Sequence, residues 1–282
     1  MARLKEIDSD WYEEAFEFCA RHPYRTLPIA HWINEKLTAS PFARPGWLLG
    51  EFDQNRHIIG LALISETGIL FPALHTDECF QQIEAITKAN PGMIRVLLGP
   101  KELVDILWAR LQKQGLQARI DQFQTMYKVD KEHFTYKQSD FELRIAETKD
   151  LDQLVQASAE MAKEESGDDA QARNPSVFKE RVSLRLSRKK DFIYQVEERL
   201  AFKASISSWI PAVGQIEGVY TPPQFRRQGI GRQGTGFVTQ RILDKASAAI
   251  LLVNRNNLAA RVIYEELGYR PHLESRTIFI SS

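Results

Sequence analysis

Charge of either sign is in no excess: Lys and Arg number 37 and Asp and Glu number 37, leaving no formal net charge. That balance supplies no global attraction to nucleic acid or to an anionic membrane, and neither is expected as a partner. Apolar runs are short, and none approaches the roughly 20 residues of a membrane-spanning helix. The opening Met1-Ala-Arg-Leu-Lys-Glu-Ile-Asp8 lacks the apolar stretch of a signal peptide. Cysteine is scarce. Cys19 and Cys79 show neither metal spacing nor a disulfide framework, which points to reduced packing residues in a cytoplasmic protein. The histidines (His22, His31, His57, His75, His133, His272) have no ligand spacing, so no metal is expected. What is present is the composition of a globular protein, 43% hydrophobic and 26% charged. At about 150 residues per domain, the length suggests two domains.

The order of elements repeats. In the first half the pattern predicts helices over 9–40 with an interruption at His22-Pro23, the second running from Pro28 to Leu37. Strands follow at Gly46–Phe52, His57–Ile64 and Ile69–Phe71, then a helix over Asp77–Ala89, a strand at Ile94–Leu98, a helix over Lys101–Gln114 and a last strand at Gln122–Val129. The second half offers a strand at Phe141–Ile145, helices over Leu151–Glu165 and Pro175–Ser187, and strands at Phe192–Val196, Ala201–Trp209 and Gln215–Thr221. It then finishes helix (Gly231–Ala246), strand (Ala249–Val253), helix (Leu258–Leu267) and strand (Arg276–Ile280). Two copies of one mixed α/β topology predict an amino-terminal domain over 1–130, a polar linker over 131–140 and a carboxy-terminal domain over 141–282.

The sharpest stretch is Thr221-Pro-Pro-Gln-Phe-Arg-Arg-Gln-Gly-Ile-Gly-Arg232. Two prolines end a β-rich run, and a basic, glycine-bearing turn leads into a helix. Arginines beside backbone without a Cβ, at the positive end of a helix dipole, make an anion cradle suited to a pyrophosphate. Gly229-Ile-Gly231-Arg-Gln-Gly234 also fits the dinucleotide fingerprint G-x-G-x-x-G. That reading needs a strand running straight into the first glycine and an acidic residue ending the next strand. Here the approach is Pro-Pro-Gln-Phe-Arg-Arg, and the next strand ends in Asn254.

A second block follows, in which Asn256 or Asn257 caps a helix that Gly268 stops and Pro271 keeps from restarting. Arg226-x-x-Gly229-x-Gly231, followed after one helix and one strand by Asn257-x-x-Ala260-x-x-x-Tyr264-x-x-x-Gly268-Tyr269, resembles the GNAT acyltransferase superfamily, which binds acetyl-coenzyme A. The resemblance covers the second half. After Ile69-Leu-Phe-Pro72 the first half offers Ala-Leu-His-Thr-Asp-Glu, with neither glycines nor arginines to hold a pyrophosphate, so it reads as a degenerate GNAT-like copy.

The resemblance implies a fold of two GNAT-like domains in tandem, each a mixed, mostly antiparallel sheet flanked by helices. It implies a reaction as well: transfer of an acetyl or small acyl group from acetyl-CoA to a primary amine on a small molecule or peptide. Such a transfer needs a base for the ammonium proton and an acid for the departing thiolate. Motif position assigns these to Glu217 and Tyr264. It assigns the pantetheine arm to the backbone of Val219, Tyr220 and Thr221 and to Asn257, and the pyrophosphate to Arg226, Arg227, Gln228, Gly229, Ile230, Gly231 and Arg232. The acidic run Glu164-Glu165-Ser-Gly-Asp168-Asp169 offers Glu165 and Asp168 to a cationic acceptor or is a solvated loop. No cysteine lies in the second half, which favours direct transfer in a ternary complex over a covalent acyl-enzyme. A non-catalytic acyl-CoA sensor or scaffold and a nucleotide-binding oxidoreductase are the alternatives, and the chain is expected as a monomer or homodimer.

Overall fold

The computed structural model describes residues 4–38, 40, 45–137, 141–167 and 169–281. Packing divides the chain into two compact units, one of Met1–Thr125 with Leu273–Ser282 and the other of Met126–His272.

The first unit runs β1 (Leu4–Glu6), α1 (Tyr12–Arg21), α2 (Pro23–Leu37), β2 (Gly46–Phe52), β3 (Ile58–Ser65), β4 (Ile69–Ala73), α3 (Asp77–Ala89), β5 (Val96–Pro100), α4 (Lys101–Lys113) and β6 (Ala118–Asp130), of which Ala118–Thr125 belong to it. The helix expected from Pro28 begins earlier, at Pro23, because the first helical position has no intrahelical use for the missing N–H. β2, β3 and β4 form an antiparallel meander, and β5 then lies parallel to β4. Leu70, Ile83, Leu97, Val104, Leu107 and Leu111 are buried where the two later helices cover the sheet.

The second unit repeats this order after the last residues of β6: β7 (Arg144–Ile145), α5 (Leu151–Ser166), the single turn α6 (Ala170–Arg173), α7 (Pro175–Leu186), β8 (Asp191–Val196), β9 (Arg199–Ile210), β10 (Val213–Tyr220), α8 (Ile230–Leu243), β11 (Ala248–Asn254) and α9 (Leu258–Glu266), with β12 (Arg270–Ile280) closing the chain. Again an antiparallel meander, β8-β9-β10, is followed by a helix and a parallel strand. A register shift against β8, where Tyr194↔Phe202 is followed by Gln195↔Leu200, puts Leu200 and Phe202 of β9 in different cores. Phe202 and Ala204 join Ile216, Phe237, Val238 and Ile242 under α8, while Ile193, Leu200, Leu154, Val182 and Leu186 pack under α5 and α7.

The closing strands are exchanged relative to the sequence expectation. The strand at 122–129 was expected to finish the first half and that at 276–280 the second. Instead β12 pairs with β5, from Ser275↔Pro100 to Phe279↔Val96, within the first unit. β6 lies beside β11, with Tyr127 and Val129 in the second core. Hydrophobic period alone cannot distinguish the two acceptors, because both strands carry one apolar face. The stretch 131–137 is not a free tether either. Thr135 bonds the carbonyls of Glu266 and Leu267, and the Tyr136 ring lies over Gly236, where any Cβ would meet it. Residues 138–140 of the expected linker lie outside the described residues.

In the first unit the helix start after the meander is already filled. The Glu51 carboxylate, fully buried, accepts the amides of His75 (2.7 Å) and Thr76 (2.9 Å) just ahead of α3. A helix N-terminus attracts an anion, and here the chain supplies its own. Replacing Glu51 by Ala leaves two amides bare and should destabilise the first unit by about 3 kcal/mol. Denaturant unfolding with amide exchange in α3 measures it, and unchanged protection in α3 would show that those amides do not depend on Glu51.

Candidate functional site

The site begins with an irregularity in β10. Its ladder with β9 pairs Glu217 with Ser205 and then Tyr220 with Lys203, so three steps on β10 meet two on β9. The extra residue is a β-bulge, and Gly218 within it adopts a φ of +63° that glycine alone reaches without strain. On the other side, the parallel ladder to β11 ends at Ile216↔Leu251, although β10 continues to Tyr220 and β11 to Asn254. Past that pair the backbone groups of β10 from Glu217 onward have no ladder partner on β11.

Thr221-Pro222-Pro223 then turns the chain, as the missing amides of the prolines require. Arg227 (φ 60°) and Gly229 (φ 78°) are both left-handed, which folds the loop into the start of α8. The first bond of that helix runs from the Gln233 amide to the Gly229 carbonyl, so the amides of its opening turn are left for an outside acceptor. A Cβ on Gly231 would lie 3.2 Å from Thr221 Oγ1, so backbone is reachable there only because the side chain is absent.

The loop's arginines differ in their freedom. Arg226 donates to the Thr221 carbonyl (2.9 Å) and to both oxygens of Glu164 (2.9 and 2.7 Å). Arg232 is ion-paired with Glu266 at 3.2 Å. Arg227 has no ion-pair partner among the described residues, and Gln228 donates to the Gln224 carbonyl. Asn257 uses its side-chain oxygen to cap α9, accepting the Ala260 amide at 3.1 Å. Val219 packs partly on the α8-side core. Tyr220 is buried, and its hydroxyl lies 3.1 Å from Glu164 and 3.3 Å from Glu160.

Tyr264 is buried on α9 between the rings of Tyr127 and Tyr269, and its hydroxyl makes no hydrogen bond among the described residues. Burial pushes its pKa up, and the negative charge of Glu165 adds to the effect. Glu217 is solvent-exposed on β10, on the same strand face as Ser205 and Lys203. Of the acidic run, Glu164 is taken by Arg226 and Tyr220. Glu165 remains, raised above the usual carboxylate range by protein packed around it, with Lys203 opposing and Glu164 reinforcing. Its side chain is exposed. Asp168 lies outside the described residues.

Sequence reasoning passed over Lys203. It lies at the centre of β9, 2% exposed, and donates to the carbonyl of Gly218 in the bulge at 3.1 Å. Burial is the main cause that brings its pKa down to about 7. Arg185 adds to the fall, while Asp191, Glu165 and Glu217 oppose it. Asp191 is equally buried, bonded to Arg185 (3.0 Å) and Ser205, with one oxygen lacking a hydrogen-bond partner. The available signal was a lysine inside the apolar run Leu200-Ala-Phe-Lys-Ala-Ser-Ile206, where a charge has no solvent to face.

The family model described as FR47-like protein matches residues 203–278, from Lys203 through the loop, α8, β11 and α9 to β12. No curated protein is a match. Among solved structures, a GNAT-family acetyltransferase from Colwellia psychrerythraea is 16% identical, with 99% of this chain and 100% of that one covered at a TM-score of 0.55. A tandem GNAT protein from the clavulanic acid biosynthesis pathway is 10% identical, covering 100% and 98%, at 0.58. A Drosophila protein is 10% identical, covering 98% of each chain, at 0.71. At such identities the likeness is one of fold, and the fold is that of the GNAT acetyltransferases, with a tandem representative matched along its length. Among the described residues no helix is long and apolar enough to cross a membrane, and no group of three or more His, Cys, Asp or Glu is arranged to hold a metal.

Replacing Gly231 by Val sets a branched side chain against Thr221 and over the amides of the opening turn. Affinity for acetyl-CoA, measured by calorimetry on a folded variant, should fall more than tenfold, a loss above about 1.4 kcal/mol. Wild-type affinity in that variant would mean the loop holds no phosphate.

Proposed function

We propose that the second unit transfers an acetyl or other small acyl group from acetyl-CoA to a primary amine, directly within a ternary complex. The observation behind this reading is the end of the β10–β11 ladder at Ile216, followed by the unbonded amides at the start of α8. An extended arm can enter between the strands and bond the free edge of Val219–Thr221 while a pyrophosphate rests on the helix start. The residues present fit such a molecule: a glycine where backbone must be approached, an exposed arginine without a partner beside it, and the side-chain nitrogen of Asn257 not used by its capping bond. Acetyl-CoA supplies an acyl group activated as a thioester. The first unit, with Glu51 in the corresponding helix start, has no comparable vacancy, so one cofactor per chain is proposed.

On this reading Tyr264 is the proton donor to the departing sulfur. A phenol is protonated at neutral pH, burial strengthens that, and its hydroxyl has no competing partner. The base is a carboxylate, and motif position favours Glu217. Glu217 and Glu165, both exposed and without an ion-pair partner among the described residues, suit a cationic amine as acceptor, on a small molecule or peptide.

Coenzyme A release from acetyl-CoA, followed across a panel of amines, amino acids and peptides, tests the reading. Binding of acetyl-CoA without release from any of them would favour a sensor. Tyr264→Phe removes an unbonded hydroxyl, so the fold should persist. Turnover should fall by roughly 10²–10⁴-fold, and raising the pH to free the amine should not restore it, because the sulfur still needs its proton. Wild-type turnover in that variant would leave Tyr264 a packing residue.

A further inference from the structure

The second unit holds a cavity of about 460 Å³ whose lining includes neither Glu217 nor Tyr264 nor any residue of the loop from Thr221 to Arg232. Its wall is apolar and comes from the sheet. Leu143 and Ile145 flank Arg144 and so share one face of the edge strand, and Ile145 pairs with Phe192 of β8. On β9 the register against β10 passes from Ser208↔Gln215 to Ile206↔Ile216, which leaves Ser207 as an extra residue. That bulge turns Trp209 to the face that Ile206 occupies; strict period two would set them on opposite faces. Phe237 of α8 completes the wall, its ring centroid 6.4 Å from that of Phe192.

The rim is cationic. Lys189 and Lys190 come from the turn after α7, where Lys189 is left-handed (φ 54°) and the Lys190 carbonyl accepts the Ile206 amide at 3.0 Å, fixing the turn beside β9. Arg241 lies in the last turn of α8 with its guanidinium 5.0 Å from the Phe237 ring centroid, and Lys245 follows just past the helix end. Against these cations stands one carboxylate, Asp244, which accepts the Gln240 side chain at 2.9 Å. Lys189, Arg241 and Lys245 have no ion-pair partner among the described residues. A concave apolar wall under a cationic rim is complementary to a molecule with one anionic end and an apolar body. A second copy of this chain fits less well, because its own rim would set like charges against these.

We propose that this cavity binds a small amphipathic anion, a monocarboxylate carried on an apolar body, with the head at Arg241 and Lys245 and the body against Phe192, Ile206, Trp209 and Phe237. Burial of the body supplies most of the affinity. The exposed cations, screened by water, chiefly select the sign of the charge. The assignment does not rest on acetyl transfer, since the two sites share no residue.

Decanoate is the probe, titrated into the full chain by calorimetry below the onset of micelles, and it should saturate a single site. Decyltrimethylammonium, the same chain with the charge reversed, should bind at least about tenfold more weakly. Arg241 and Lys245 are exposed, so the double variant Arg241→Gln/Lys245→Gln should fold. It should weaken decanoate about tenfold, or about 1.4 kcal/mol over the two charges. Trp209 reports the location. The chain has five tryptophans, and the indole N–H resonance lost in Trp209→Phe should shift on titration while the other four stay in place and mark an intact fold. Absence of saturable decanoate binding, equal binding of the cationic chain, undiminished binding in the double variant, or an unmoved Trp209 resonance overturns the proposal and leaves acetyl transfer standing.

Discussion

One backbone constraint organises the second unit: β10 cannot remain paired to both neighbours past Ile216. The extra residue between Glu217 and Tyr220 breaks its register with β9, and the parallel ladder to β11 ends at Leu251. A continuous sheet would have used those amides and carbonyls internally, leaving nothing for a ligand to bond. The bulge keeps its shape through Gly218, whose positive φ would strain any other residue, and through Lys203, which holds the turned carbonyl. A buried ammonium is an expensive way to satisfy one carbonyl. The fall of Lys203 toward a pKa of about 7 is the physical response to that cost.

The two units show what one topology becomes when its helix start is filled or left open. Each has an antiparallel meander, a helix and a parallel strand. In the first, Glu51 occupies the amides ahead of α3 from within the sheet. In the second, glycines keep the approach clear, and Glu164 bonds an arginine side chain and not the helix amides. The same attraction of a helix N-terminus for an anion thus stabilises a fold in one place and offers a ligand site in the other.

Charge around β10 is allocated rather than simply accumulated. The acidic run of α5 looks uniform in sequence, yet Glu164 is neutralised by Arg226 while Glu165, one residue on, has no ion-pair partner among the described residues and is raised by its surroundings, with the Lys203 charge opposing. On the far side of Lys203, Asp191 is shared between Arg185 and Ser205. Adjacent residues on a helix are separated by about 100° around its axis, which suffices to give two glutamates different chemistry.

The sequence by itself determined the alternation of elements, the two-copy order, the proline-terminated strand, the glycine loop and the capped helix bearing Tyr264, because each depends on local period, φ preference or capping chemistry within a few residues. It also determined that the first copy lacks a phosphate loop, since missing glycines and arginines are visible in the letters. The tertiary structure alone decided the exchange of the closing strands, because β6 and β12 present equivalent apolar faces and only packing selects the neighbour. It alone decided that residues 131–137 pack within the second unit, that Glu51 fills the first helix start, and that Lys203 rather than a surface residue supports the bulge. Glu164 and Glu165 are likewise equal in sequence and different in the fold. Which of two neighbouring carboxylates meets a cation depends on contacts with residues more than thirty positions away, and no local pattern encodes those.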